Sequence, residues 1–145
     1  MSRVKNLVTS EWLIKNHDWS DLKICDATYF LATHKRDAKA EYLANHISGA
    51  IRFDIDSIKN PASDLPHMLP TAQQFEAHMQ ELGINNNDIV VVYDNSPFLS
   101  AARAWWLLRM FGHERVFVLD GGLKRFKAIG GKTESGEGQI FPKSS

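Results

Sequence analysis

The sequence has almost no cysteine, the residue that forms disulfides and cysteine-rich metal sites. It has one cysteine, Cys25, among 145 residues, which excludes an internal disulfide and a cysteine-rich zinc site. Its six histidines include no pair at the spacing of a zinc-protease motif. We therefore expect no metal and no cofactor.

An excess of charge and a long apolar run are also missing. Lys and Arg number 17, as do Asp and Glu, so the formal net charge is zero and nothing favours binding to a nucleic acid backbone. No apolar run approaches the roughly 20 residues that cross a bilayer, and the first residues are too polar for a signal peptide. We expect a cytoplasmic protein that binds neither nucleic acid nor membrane.

The composition that remains is that of one folded domain, with 43% hydrophobic and 23% charged residues. Apolar runs suited to buried parallel strands alternate with helical patterns, which predicts an α/β fold. The predicted strands cover residues 7–8, 22–27, 50–53, 88–93 and 116–119. Helices are predicted from Thr9 or Ser10 to Asn16, over 40–43, from Thr71 to Gly83, and over 100–111 and 123–128.

Two predicted helices carry an apolar face. Phe75, Met79 and Leu82 share one face of the helix after Thr71, and Trp105, Leu108 and Met110 are predicted to pack inward from the helix over 100–111. Residues 54–70 are predicted to form an ordered loop. Because the composition shifts to Gly, Ser, Glu and Lys, we predict a domain over 1–131 and a flexible tail or interdomain linker over 132–145.

Three motifs, HISGA at 46–50, VVVYD at 90–94 and VLDGGL at 118–123, resemble in this order those of the rhodanese superfamily. The resemblance runs over about residues 7–131. It implies a three-layer α/β fold with a mostly parallel sheet of about five strands and helices on both faces.

Further motifs, FDID at 53–56, HMLP at 67–70 and SAARAWW at 100–106, resemble the N-terminal half of two-domain thiosulfate and 3-mercaptopyruvate sulfurtransferases. In catalytic rhodanese domains a cysteine follows the central strand, where a helix N-terminus stabilises its thiolate and persulfide. Here Asp94 holds that place. An aspartate cannot carry sulfane sulfur, and its charge opposes an anionic donor such as thiosulfate.

The same resemblance suggests roles for residues elsewhere. Asp56 and His67 match positions from which the first domain of the mercaptopyruvate branch completes the second domain's site, as part of a proton relay. The alternative is a loop-stabilising Asp and a surface His. Arg103 is a candidate for binding an anionic substrate, although an ion pair with Asp94 or Asp120 is the favoured interpretation.

Other residues have structural and functional interpretations. Cys25 lies within a predicted strand with no helix start beside it, which favours a buried structural thiol over a nucleophile. Trp105 and Trp106 point about 100° apart on a helix, so we expect one to pack inward. The other would then be available to cover a domain interface, unless both belong to the core.

Two hypotheses of different class follow. The chain is either the non-catalytic first domain of a sulfurtransferase for small sulfur-containing anions, or a stand-alone, non-enzymatic binding module. In the first case its partner is a second, catalytic rhodanese domain, or another copy through the same face. A rhodanese-related phosphatase would need a loop cysteine and is disfavoured.

Overall fold

The computed structural model describes residues 7–17, 21–29, 36–53, 71–85, 87–95 and 100–136. Its strands are β1 Leu7–Val8, β2 Leu22–Asp26, β3 His46–Ile47, β4 Ile51–Arg52, β5 Ile89–Tyr93, β6 Val116–Leu119 and β7 Thr133–Glu134. Its helices are α1 Ser10–Asn16, α2 Ala38–Ala44, α3 Ala72–Leu82, α4 Ser100–Met110 and α5 Gly122–Ala128.

The main sheet has five strands in the order β1-β6-β5-β2-β4, and every neighbouring pair is parallel. All residues of β2 and β5 are buried, because helices cover both faces of the sheet. This explains why β5 reads as an unbroken apolar run. The predicted strands 22–27, 50–53 and 88–93 correspond to β2, β4 and β5.

The core has one half on each face of the sheet. On one face Phe75 of α3 and Leu108 of α4 pack with Val90 and Val92. On the other face Leu13 of α1, Tyr42 of α2 and Phe126 of α5 pack with Val91 and Tyr93. The alternation of β5 side chains between the two clusters produces three layers, and the predicted fold class is confirmed.

Helix α3 has the ends that its sequence predicts. Thr71 and Gln74 form a capping box, in which each side chain accepts a hydrogen bond from the other residue's backbone N–H. Gly83 ends the helix at φ 79°, in the left-handed region. These signals are local, so the sequence alone locates the helix.

The structure of helix α4 contradicts the prediction for one core residue. Its buried side chains are Ser100, Ala101, Ala104, Leu107 and Leu108. Met110 lies 51% exposed, and the prediction that it packs inward is wrong. The buried stripe of α4 runs through Ala104, Leu107 and Leu108, and Met110 lies outside it.

The two tryptophans of α4 point in different directions, as predicted. Trp105 packs against the core, and its Nε1 donates to the Val116 carbonyl at 3.2 Å. Trp106 is 41% exposed. One of the pair therefore remains available at the surface.

Strand β7 corrects the predicted end of the domain. It pairs with β3 in an antiparallel ribbon, and the Gly136 N–H donates to the Leu43 carbonyl at 2.7 Å. The folded unit thus extends beyond residue 131, where the composition predicts a flexible tail or linker. The sequence does not predict this strand, because its two polar residues are held by pairing with residues far away in the sequence.

Some predictions fall outside the described residues: the ordered loop over 54–70, with Asp56 and His67, and residues 96–99 after Asp94. Residues 137–145 lie outside them as well. Among the helices of the described part, none has the length and apolar character that crossing a membrane requires.

Candidate functional site

The candidate site lies at the carboxyl edge of the parallel sheet, where ligands bind in many α/β folds. Asp94 follows β5, and Asp120 follows β6. An open cleft of about 670 Å³ lies beside them. Its described lining consists of Leu7, Arg36, Asp94, Asn95, Ala101, Ala102, Val118, Leu119, Asp120, Gly121, Gly122 and Lys124.

The Asp94 carboxylate is bonded to the start of helix α4. Its Oδ2 accepts a hydrogen bond from the backbone N–H of Ala101 at 2.7 Å. Ala101 is in the first turn of α4, where unpaired N–H groups and the helix dipole favour a negative charge. The chain's own carboxylate therefore occupies a position at which a helix could stabilise another anion.

The backbone around Asp94 is held from two sides. The Asp94 carbonyl accepts from the Leu123 N–H at 3.2 Å, and the Asn95 N–H donates to Thr28 Oγ1 at 3.0 Å. The starts of α4 and α5 thus meet at one residue. These bonds fix the direction in which the carboxylate leaves the strand.

Gly122 permits this close approach. It has φ +61°, and a Cβ there would lie 2.7 Å from the Asp94 carbonyl oxygen. A larger residue would collide with rigid backbone. The second glycine of the VLDGGL motif is therefore explained by its contact with the VVVYD motif.

The charges that line the cleft have both signs. Asp94 and Asp120 are acidic, and Arg36 and Lys124 are basic. Both oxygens of Glu41 hold Arg36, from Nε and Nη2 at 2.8 Å each, and the same Nη2 lies 3.4 Å from the Asn95 carbonyl. An anionic ligand beside Asp94 would therefore meet two carboxylates, Lys124 and an arginine already paired with Glu41.

Arg103 lies on α4 with its guanidinium 4.9 Å from the centre of the Trp106 ring, within cation–π range. The sequence does not predict this contact. Ion pairing of Arg103 with Asp94 or Asp120 stays a prediction, as does its binding of an anionic substrate.

Cys25 has the environment of a structural thiol. It is fully buried in β2, and burial, followed by the charge of Asp26, raises its pKa to about 12. The thiol is therefore protonated at neutral pH and is a poor nucleophile. Its predicted burial is confirmed.

The neighbouring Asp26 holds the backbone that follows β2. Its Oδ1 accepts from the Thr28 N–H at 2.9 Å, and Thr28 in turn holds Asn95. Sequence reasoning missed the contributions of Thr28 and Arg36 to the Asp94 loop, because each is separated from Asn95 by more than fifty residues. No local motif signals such a contact.

The roles of Asp56 and His67 stay predictions, because both residues lie outside the described ranges. Within those ranges, no group of three or more His, Cys, Asp or Glu residues could hold a metal ion.

Comparison with known proteins gives a consistent result. The family model for the rhodanese-like domain matches residues 9–129. The chain is 47% identical over 135 residues to thiosulfate/3-mercaptopyruvate sulfurtransferase 1, mitochondrial, of Arabidopsis thaliana, covering 93% of this chain and 36% of that protein. It is 43% identical over 117 residues to 3-mercaptopyruvate sulfurtransferase of Escherichia coli strain K12, covering 80% and 42%.

Solved structures show the same relation. The crystal structure of the 3-mercaptopyruvate sulfotransferase SseA of Escherichia coli has a TM-score of 0.89 at 38% identity, over 97% of this chain and 53% of that chain. Tum1 of Saccharomyces cerevisiae has a TM-score of 0.84 at 31% identity, over 96% and 48%. The chain spans between 36% and 48% of the length of the curated relatives that it matches.

Proposed function

Because the chain belongs to the rhodanese-like domain family, we propose that it is the non-catalytic first domain of a thiosulfate/3-mercaptopyruvate sulfurtransferase. One observation carries the proposal. Asp94 follows the central strand, at the position where a catalytic rhodanese domain has its cysteine, and the Asp94 carboxylate binds the first turn of α4.

The chemistry of Asp94 supports a non-catalytic role. Sulfur transfer in this family requires a thiolate that can form a persulfide, and a carboxylate cannot form one. The negative charge of Asp94 also satisfies the helix N-terminus that would otherwise stabilise a thiolate. Cys25, the chain's one cysteine, is fully buried and offers no substitute.

The proposed partner is a second rhodanese domain that carries the catalytic cysteine. The relatives named above are more than twice as long as the part that this chain matches, which leaves room for such a domain. In this arrangement Asp56 and His67 would reach the partner's site and move a proton during sulfur transfer from mercaptopyruvate. Arg103 is the candidate for contacting the substrate anion.

We propose a reducing compartment, the cytoplasm, for this domain. A lone free thiol, here Cys25, is typical of proteins from such compartments. One relative has the word mitochondrial in its name, and this gives the location of that relative and not of this chain.

A chimera tests the proposal. The 145-residue chain is joined to the second half of the Escherichia coli 3-mercaptopyruvate sulfurtransferase, and transfer of sulfur from mercaptopyruvate to cyanide is measured. We expect no turnover from the chain alone and clear turnover from the chimera. Asp56→Asn and His67→Gln in the chimera should each lower kcat/KM roughly 100-fold, the scale of a lost proton relay.

Glu114→Gln, at an exposed glutamate outside the site, is the matched control and should leave kcat/KM unchanged. Turnover by the chain alone would contradict the non-catalytic assignment. A chimera that folds, as judged by circular dichroism, yet transfers no sulfur would favour the stand-alone binding module instead.

A further inference from the structure

The last described strand is fastened to the domain by one carboxylate. Glu134 accepts hydrogen bonds from His46 Nε2 at 3.0 Å, Ser48 Oγ at 3.2 Å and the Gly49 N–H at 3.2 Å. We call residues 132–136 the C-terminal clasp. Besides the pairing of β7 with β3, its backbone makes two bonds, from the Ser48 N–H to the Lys132 carbonyl at 3.0 Å and from the Gly136 N–H to the Leu43 carbonyl at 2.7 Å.

His46 lies at the buried end of this arrangement. Its side chain has no exposed surface, and its ring stacks on Tyr42 with centroids 4.1 Å apart. Nδ1 is 2.8 Å from the Tyr42 carbonyl oxygen, and Nε2 is 3.0 Å from Glu134 Oε2. Each ring nitrogen of His46 therefore faces an oxygen.

The two oxygens that face His46 determine how many protons the His46–Glu134 pair holds. A backbone carbonyl can only accept a hydrogen bond, and so can an ionised carboxylate. A neutral imidazole has one N–H and could satisfy only one of the two oxygens. The His46–Glu134 pair must therefore hold one proton more than a neutral imidazole beside a carboxylate.

The surroundings of Glu134 favour its ionised form. Partial burial alone would raise the Glu134 pKa, but hydrogen bonds from the Gly49 N–H, His46 and Ser48 lower it below the ordinary value. Glu134 also keeps 37% of its side chain exposed to solvent. Both features favour the ionised carboxylate.

We propose that His46 and Glu134 form an imidazolium–carboxylate lock that holds the C-terminal clasp on the domain, and that removing the shared proton releases the clasp. With a deprotonated His46, one nitrogen lone pair would face an oxygen in a buried space, where such a mismatch is costly. The backbone bonds of the clasp would then lose their main support.

The direction of the pH dependence follows from the charge of Glu134. The contribution of Glu134, whose folded pKa is lowered, is lost as the pH falls below the ordinary range of a glutamate. The clasp should therefore be docked at neutral pH and should loosen as the pH falls below that range.

Two tyrosines that face this region are neutral across that range. Burial, followed by the charge of Asp26, raises the pKa of Tyr42 to about 12. The same two causes raise the pKa of Tyr93 well above its ordinary value. The Tyr93 hydroxyl accepts from the Ile47 N–H at 3.1 Å.

The other charged groups nearby have partners of their own. Arg52 lies 3.6 Å from Asp26 Oδ1. His17 Nε2 lies 2.6 Å from the Ser48 carbonyl, a bond that a neutral imidazole can donate, so this contact does not require a charge on His17. The lock is thus assigned to the pair of His46 and Glu134.

The lock holds residues 132–136, the last described residues, against β3. If the proposed function holds, the lock would also fix the first part of the connection to the catalytic domain, a consequence that rests on that function. The lock itself is a property of the described residues and does not depend on sulfur transfer.

Nuclear magnetic resonance of the 145-residue chain tests the lock directly. We expect both ring nitrogens of His46 to carry a proton at neutral pH, seen as two similar 15N shifts. Wherever that signature is lost, amide exchange at Ser48 and Gly136, corrected for the intrinsic rate, should become faster. Exchange at Val91, in the centre of the sheet, should not follow it.

Glu134→Gln keeps the shape of the side chain and removes its charge. It should remove the imidazolium signature and speed exchange at Ser48 and Gly136 at neutral pH by roughly tenfold, whereas Glu114→Gln should change neither. A His46 with one ring proton at neutral pH would overturn the proposal without any variant. Unchanged exchange in a folded Glu134→Gln chain would overturn it as well.

Discussion

At the scale of single residues, Asp94 shows how one position can serve two chemistries. The start of α4 favours a negative charge, and either a thiolate or a carboxylate can supply it. Only the thiolate can go on to carry sulfur. The VVVYD motif predicts that Asp94 directly follows β5. The order of strand, loop and helix is compatible with the bond between the Asp94 carboxylate and the Ala101 N–H.

Contacts made across the chain could not be predicted at this scale. Arg36 and Thr28 reach Asn95 from 59 and 67 residues away. His46 faces the Tyr42 carbonyl, four residues earlier in the sequence. Its second partner, Glu134, is 88 residues away, which is why the sequence does not indicate an ion pair.

If Asp94 is a structural anion at the start of α4, its removal should lower stability. We expect Asp94→Ala to lower the free energy of unfolding by about 1 kcal/mol, the usual loss when a helix start loses its side-chain acceptor. Asp94→Asn keeps an acceptor oxygen and should lose less. Urea unfolding followed by circular dichroism gives both values, and an Asp94→Ala chain as stable as the wild type would refute this role.

At the scale of elements, the signals that predict structure correctly are local. The sequence predicts α3 because Thr71, Gln74 and Gly83 mark its two ends within the helix itself. It does not predict β3 and β7, because each has two residues and is stabilised by the other strand. The prediction for Met110 is wrong because apolar character alone does not give the position of a side chain around the helix.

The capping box of α3 provides a test at this scale. Thr71→Ala removes the side chain that accepts from the Gln74 N–H at 3.1 Å, and it should lower the free energy of unfolding by about 1 kcal/mol. Gln73→Ala, at an exposed position inside the same helix, serves as the control and should be nearly neutral or slightly stabilising. Equal stability of the two variants would show that the cap contributes nothing.

At the scale of the whole molecule, alternation of apolar runs and helical patterns is enough to predict an α/β domain. The strand order β1-β6-β5-β2-β4 could not be predicted from the same pattern, because it depends on which strands meet in space. Close structural similarity, with a TM-score of 0.89, establishes the fold. It leaves the chemistry to the residues at the site.

The chain has the strands, helices and glycine turn of a rhodanese-like domain. Under the proposed function, this domain differs from a catalytic one at Asp94, which takes the place of the sulfur carrier. Trp106 and Met110 lie exposed on α4. We propose them as candidates for contact with a second domain.

The most direct test of the central claim is the intact mass of the chain after incubation with thiosulfate or 3-mercaptopyruvate, without reductant. The account predicts no gain of a sulfur atom, because Asp94 cannot form a persulfide and the buried Cys25 thiol, with a pKa of about 12, does not react. Gain of one sulfur atom by the wild type, absent in Cys25→Ser, would contradict it and identify Cys25 as the sulfur carrier.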